Sequence, residues 1–166
     1  MNIVQAGYQL TRARMRGHSA LLRAGAETSL LPVAYVLAVA SRETNIQNLL
    51  GDGGHGVGII QIDIRFHEIA RAAKVSGSWR TRPGPLVHYG CRLLVDNLAW
   101  AQDLWPALMP DQHLKIAAAA YNAGKGGAKR GVADGDCDKY TTGKDYGRDV
   151  MARRVLFARL SGERNA

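Results

Sequence analysis

Three carboxylates of this chain stand close enough in sequence to share one site. Glu43 lies in Ser41-Arg42-Glu43-Thr44-Asn45, and Asp52 and Asp63 lie in the stretch Gly51-Asp52-Gly53-Gly54-His55-Gly56-Val57-Gly58-Ile59-Ile60-Gln61-Ile62-Asp63. One acid comes from the end of an apolar helix, the other two from a glycine-rich loop and a short strand. Acid–base cleavage of a glycosidic bond needs such a set: one carboxyl kept protonated near neutral pH and, in the inverting variant, a carboxylate across the sugar to activate water. Glu43 is the candidate acid.

The elements that must position these groups follow from local pattern. The run Leu31 to Arg42 carries Pro32 near its start and apolar residues almost all round, which predicts a buried helix beginning near Pro32 with Glu43 in its last turn. There the negative end of the helix dipole and apolar surroundings both disfavour the anion and raise the pKa. Across 58–64, strand alternation places Ile60, Ile62 and Ile64 on one side and Ile59, Gln61 and Asp63 on the other, so Gln61 and Asp63 are expected to look into a cleft. Five glycines between Gly51 and Gly58 allow close approach of a bulky substrate to the backbone, and Asp52 rides among them. Taken singly, Asp52-Gly53 reads as a hairpin turn and Asp63 as an N-cap for the segment from Ile64.

Further downstream, Pro110-Asp111-Gln112-His113-Leu114-Lys115 leads into Ala119-Ala120-Tyr121-Asn122-Ala123-Gly124, and Asp145-Tyr146-Gly147-Arg148-Asp149-Val150 follows. Asp111 is expected to cap a helix ending near Asn122, with Gly124 as its stop. Thr142-Gly143-Lys144-Asp145 has a capping-box pattern that would open the last helix, with Tyr146 and Asp149 on one face.

These separated motifs, in this order over roughly residues 20 to 160, resemble the goose-type lysozymes, relatives of the soluble lytic transglycosylases of bacteria. The resemblance implies a lysozyme-like α+β fold, mostly helical, with a small β element flanking the cleft. It also implies cleavage between N-acetylmuramic acid and N-acetylglucosamine in peptidoglycan. By the same resemblance Tyr121 and Asn122 hold the sugar beside the scissile bond and Tyr146 stands near the acid; Gln61, placed in the cleft by strand alternation, is a further candidate for substrate binding. The spacing departs from the goose-type pattern in having fewer residues between Glu43 and Asp52, which weakens the assignment of Asp52 more than that of Asp63.

Residues 1–166 are expected to form one catalytic domain, since no linker, repeat or low-complexity tract divides them. Helices are predicted over 18–28, 31–43, 64–74, 85–105, 111–123 and 143–160, with strand pieces around 57–63. The 85–105 helix is expected to be the central buried one, with Trp100 and Trp105 in the core.

Twenty-two basic against fourteen acidic residues leave a formal charge of +8. An anionic partner follows, and without a nucleic-acid motif the partners expected are peptidoglycan and anionic cell-wall or outer-membrane polymers. Arg12, Arg16 and Arg23 are expected to share one helix face, and Arg148, Arg153, Arg154 and Arg159 to line the last helix. The pairing of Cys91 and Cys137 is left open by the sequence. The histidines show no metal spacing, so neither a metal nor another cofactor is expected, and the chain is read as a monomer. Residues 1–16 carry no signal-peptide core and no span reaches transmembrane length. The expectation is therefore a phage endolysin released from the host cytoplasm through a holin-type pore, with a secreted enzyme whose signal has been removed as the rival.

Two catalytic readings compete. A muramidase would use water held by Asp63 or Asp52; a lytic transglycosylase would use the muramic acid's own hydroxyl and need no second carboxylate. The transglycosylase branch commonly follows its strand with an apolar residue and proline, whereas Gln61-Ile62-Asp63 keeps the goose-type aspartate. A chitinase and a non-catalytic wall-binding protein are lesser alternatives.

Overall fold

A computed structural model describes residues 1–162; the last four residues of the expected 1–166 domain lie outside the described residues. The chain builds eight helices among them, with one small sheet. These are α1 (Ile3–Met15), α2 (His18–Thr28), α3 (Val33–Thr44), β1 (Leu49–Gly51), β2 (Gly56–Gly58), β3 (Ile62–Asp63), α4 (Glu68–Ser76), α5 (Ser78–Thr81), α6 (Gly84–Leu104), α7 (Pro110–Ala133) and α8 (Tyr146–Ser161). The mostly helical α+β architecture expected from the sequence is the one observed.

The fully buried helix is α3, not α6. From Val33 to Ser41 every residue of α3 is buried, because α2 and α8 pack against it. Pro32 sets its entry, and Asn45 ends it in the left-handed conformation that a short polar side chain tolerates. The longer α6 is amphipathic: Leu86, Val87, Gly90, Cys91, Leu94 and Ala101 face inward while intervening residues meet solvent. Trp100 and Trp105 meet edge to face at 5.4 Å and pack, partly buried, on a second, smaller apolar cluster with Ala101, Ile116 and Ala120. Cys91 lies in the larger cluster and Cys137 in the smaller, both buried as free thiols.

The sheet is antiparallel in the order β1-β2-β3, pairing Leu49 with Gly58, Gly51 with Gly56, and Gly56 with Asp63. Continuous alternation over 58–64 is not observed. Residues 59–61 form a turn in which Gln61 takes a φ of +51°, and Ile59, Ile60 and Ile62 are all buried together. Thr44 Oγ1 donates to Ile59 O at 2.7 Å and Tyr121 Oη to Ile60 O at 2.7 Å, so α3 and α7 stitch this turn into the core.

Several boundaries differ for local reasons. Helix α1 went unpredicted, although Asn2 and Gln5 cap its start reciprocally at 2.9 Å each. Arg12 belongs to α1, Arg16 follows it and Arg23 belongs to α2, so these three do not share one face. Helix α4 begins at Glu68 rather than 64, because Asp63 closes a turn over 64–67 instead of capping a helix there. Asp111 lies inside the first turn of α7 and pairs with Arg154 at 2.6 Å. Gly124, at φ 72° and ψ 159°, breaks α7 as expected, but helix resumes at once and runs to Ala133. Thr142–Lys144 is a 3-10 turn, and the donors opening α8 are met instead by Asp138, a fully buried carboxylate that accepts from Gly147 N at 2.6 Å and Arg148 N at 2.9 Å.

Candidate active site

A cleft of about 490 Å³ lies between the sheet and the helices, and Glu43, Asp52, Gln61, Asp63, Tyr121, Asn122 and Tyr146 all line it. Every site residue expected from the sequence is therefore brought to one place. Glu43 comes from the helical wall, at the end of α3. The two aspartates come from the sheet, Asp52 in a 3-10 turn after β1 and Asp63 at the end of β3.

Glu43 is half-buried, and burial pushes its pKa up to about 7. Two groups oppose that rise without overcoming it: the Tyr146 hydroxyl, which donates a short hydrogen bond to Glu43 Oε1, and the neighbouring Arg42. Arg42 does not hold the carboxylate ionised because its own charge is engaged elsewhere. It bonds Asp145 at 2.8 Å and Asp149 at 3.0 Å, and Arg153 joins Asp149 at 2.7 Å. Glu43 is thus a carboxyl that keeps its proton into the neutral range.

Asp63 is the opposite case. Arg65 hydrogen-bonds it from Nε at 3.0 Å to both oxygens, from Nη2 at 2.6 Å and from the backbone N at 2.7 Å. These bonds hold Asp63 below the ordinary carboxylate range. Asp52 accepts from the same Nη2 at 2.8 Å. Its loop is anchored more firmly than its glycines suggest, for Lys74 Nζ donates to Gly54 O at 2.7 Å and His55 N to Asp52 O at 3.0 Å. One site thus contains a carboxyl that holds its proton and a carboxylate that sheds it readily, the division of labour that acid–base cleavage requires.

Much of the polar capacity of the expected sugar-binding residues is spent on the cleft itself. Gln61 Nε2 donates to Leu49 O at 3.1 Å and Gly58 O at 2.7 Å, and a Cβ at Gly51 or Gly56 would collide with its Oε1, which explains those two glycines. The Tyr121 hydroxyl is committed to Ile60 O, and Asn122 Oδ1 accepts from Thr142 N at 2.7 Å. What Tyr121 offers a ligand is its ring, and what Asn122 offers is its amide NH₂.

Beyond Asp63 and Tyr121 the cleft continues into a second depression of about 570 Å³, bordered by Phe66, His67, Asn97 and Lys125. Phe66 is 78% exposed on its rim. Sequence reasoning missed Arg65, Phe66, Arg42 and Asp138. Only Arg65 had a legible signal, a guanidinium two residues beyond an aspartate at a strand end.

The family model described as Lysozyme g matches residues 4–161. Among relatives, Lysozyme g of Gallus gallus is 31% identical over 147 residues, covering 86% of this chain and 64% of that protein. Lysozyme g of Takifugu rubripes is 31% identical over 150 residues, 87% of this chain and 75% of that one, and Lysozyme g of Struthio camelus is 29% identical over 147 residues, 86% and 67%. The chain thus spans about two thirds to three quarters of the length of these relatives. With a matched family model running from α1 to the end of α8 around a cleft of paired carboxylates, the chain belongs to the lysozyme g family.

Proposed function

We propose that this protein is a muramidase, hydrolysing the β-1,4 bond between N-acetylmuramic acid and N-acetylglucosamine in peptidoglycan. The observation that carries the reading is the contrast between Glu43, with a pKa of about 7 on the helical wall, and Asp63, held ionised on the sheet wall of the same cleft. Glu43 gives its proton to the glycosidic oxygen as the C1–O bond breaks. Water, oriented by Asp63 together with Asp52, attacks C1 from the far side and passes its proton to one of them, and a later proton exchange with solvent resets the pair. Tyr146 orients Glu43 through its hydrogen bond. The Tyr121 ring, the Asn122 amide and the exposed Phe66 supply surfaces for the sugar, and a formal charge of +8 suits an anionic wall polymer.

One observation favours a second reading. Both Asp63 oxygens are already occupied by Arg65, which is what a lytic transglycosylase, needing no base for water, could tolerate. Digestion tests the class of activity. The protein should release soluble muropeptides from purified peptidoglycan and leave chitin intact, whereas solubilisation of chitin alone, or binding without release, would reject the muramidase reading.

A further inference from the structure

Arg65 stands on the exposed lip of the cleft, and its donors converge on two aspartates that the chain delivers separately. Nη2 lies between them, 2.6 Å from Asp63 Oδ2 and 2.8 Å from Asp52 Oδ2, while Nε spans both oxygens of Asp63 at 3.0 Å. Without a cation there, two carboxylates facing one small space would repel each other. A lysine could supply charge but not this geometry, because only the planar guanidinium engages one carboxylate by two donors and shares one of them with a second. The Arg65 backbone N holds Asp63 Oδ1 independently at 2.7 Å, so Asp63 keeps one anchor if the side chain is removed, whereas Asp52 loses its tie to β3.

An ordinary exposed ion pair contributes little to stability. This one differs in where it lies: both of its acids line the same cleft as Glu43, on the part of it built by the sheet. We propose that Arg65 is a positioning residue of the hydrolytic site, clamping the Asp52 turn against Asp63 so that the two carboxylates hold the attacking water as one unit. Asp52 is engaged by Arg65 through a single oxygen, Oδ2, so its Oδ1 can join the firmly held Asp63 carboxylate in accepting from that water. The clamp rests on the muramidase reading and assigns within it the group that makes two loosely related aspartates act together.

Three variants test it, assayed on soluble glycan strands beside wild type. Arg65→Ala should lower kcat roughly 10- to 100-fold with KM changed little, since misplacing a reacting water by about an ångström costs that much. Its acidic pH limb should move to higher pH, because Asp63 loses the bonds that lower its pKa, while the alkaline limb set by Glu43 stays in place. Guanidinium ion at a non-denaturing concentration should restore part of the lost rate, and sodium at equal ionic strength should not. Arg65→Lys should hold the acidic limb nearer wild type yet still lose kcat, and Arg65→Gln should resemble Arg65→Ala. The proposal is overturned if kcat and the acidic limb stay as in wild type. It is equally overturned if the rate falls with the melting temperature but the limb does not move and guanidinium restores nothing, which would mark Arg65 as merely structural. Wild type that releases reducing ends beside an unaffected Arg65→Ala would remove the clamp alone; wild type that releases anhydro ends would remove the muramidase reading itself.

Discussion

Replacing Glu43 by glutamine should abolish cleavage and, at the same time, make the folded protein more stable at alkaline pH. The amide keeps the shape of the side chain and still accepts from Tyr146, but it has no proton to give and no charge to desolvate. In the unfolded chain the carboxyl titrates near 4.5, and in the folded cleft near 7. Below about pH 4.5 it is protonated in both states and costs nothing. As pH rises from 4.5 through 7 the unfolded state releases its proton first, so folding loses up to roughly 3 kcal/mol, fully developed above pH 7. Water in the cleft screens part of this, which makes the figure an upper bound. Glu43→Gln escapes the penalty. Its melting temperature should match wild type near pH 4 and exceed it near pH 8, by up to roughly 10 °C for a chain of this size. Thermal melts across that range, run beside turbidity clearing of permeabilised cells, check both halves. A difference in melting temperature that does not change with pH would show that Glu43 titrates normally, and near-wild-type clearing by the variant would remove it from the mechanism.

Other outcomes follow from the same geometry. Asp63→Asn should cost roughly 100-fold in initial rate and Asp52→Asn roughly tenfold, because the Asp63 side chain is 24% exposed and held by four hydrogen bonds from three Arg65 donors while that of Asp52 is 65% exposed and held by one; equal effects would contradict this ranking. Tyr146→Phe removes a donor that favours the ionised form of Glu43, so the alkaline limb of kcat/KM should move above pH 7, and a downward shift or none would show that the hydroxyl does not act on Glu43. Asp138→Ala should destabilise the fold by about 2–3 kcal/mol in denaturant titration by stripping two backbone donors of α8 of their buried acceptor, and a loss under about 0.5 kcal/mol would mean that water replaces the cap.

What could be read from the sequence follows a physical division. Glu43 was legible because Pro32 and an unbroken apolar run define both the start of α3 and its burial, so the acid's place in the last turn follows by counting. Gln61 and Asp63 were placed in the cleft for an incomplete reason: strand alternation does not operate across 59–61, where Gln61 adopts a left-handed conformation and Ile59 and Ile60 are buried together with Ile62. The glycines were read as making room for substrate, while Gly51 and Gly56 make room for the Gln61 amide. Arg42 and Asp138 were passed over because their partners lie on elements later in the chain, and Arg65, legible beside Asp63, because its tie to Asp52 is made only by the fold. The caps of α1 and α8 show the same limit from two sides, one written in Asn2 and Gln5 but overlooked, the other supplied by a loop residue eight positions before the helix begins.

The chemistry of the new sugar end tests the central claim most directly. Hydrolysis by water leaves a reducing muramic acid, and attack by the muramic acid's own hydroxyl leaves an anhydro end lighter by one water. Mass analysis of muropeptides released from purified peptidoglycan should show reducing ends, and NMR at early times should show them with inverted anomeric configuration. Fragments dominated by anhydro ends would contradict the account and leave Asp52, Asp63 and Arg65 with structural or substrate-binding roles only.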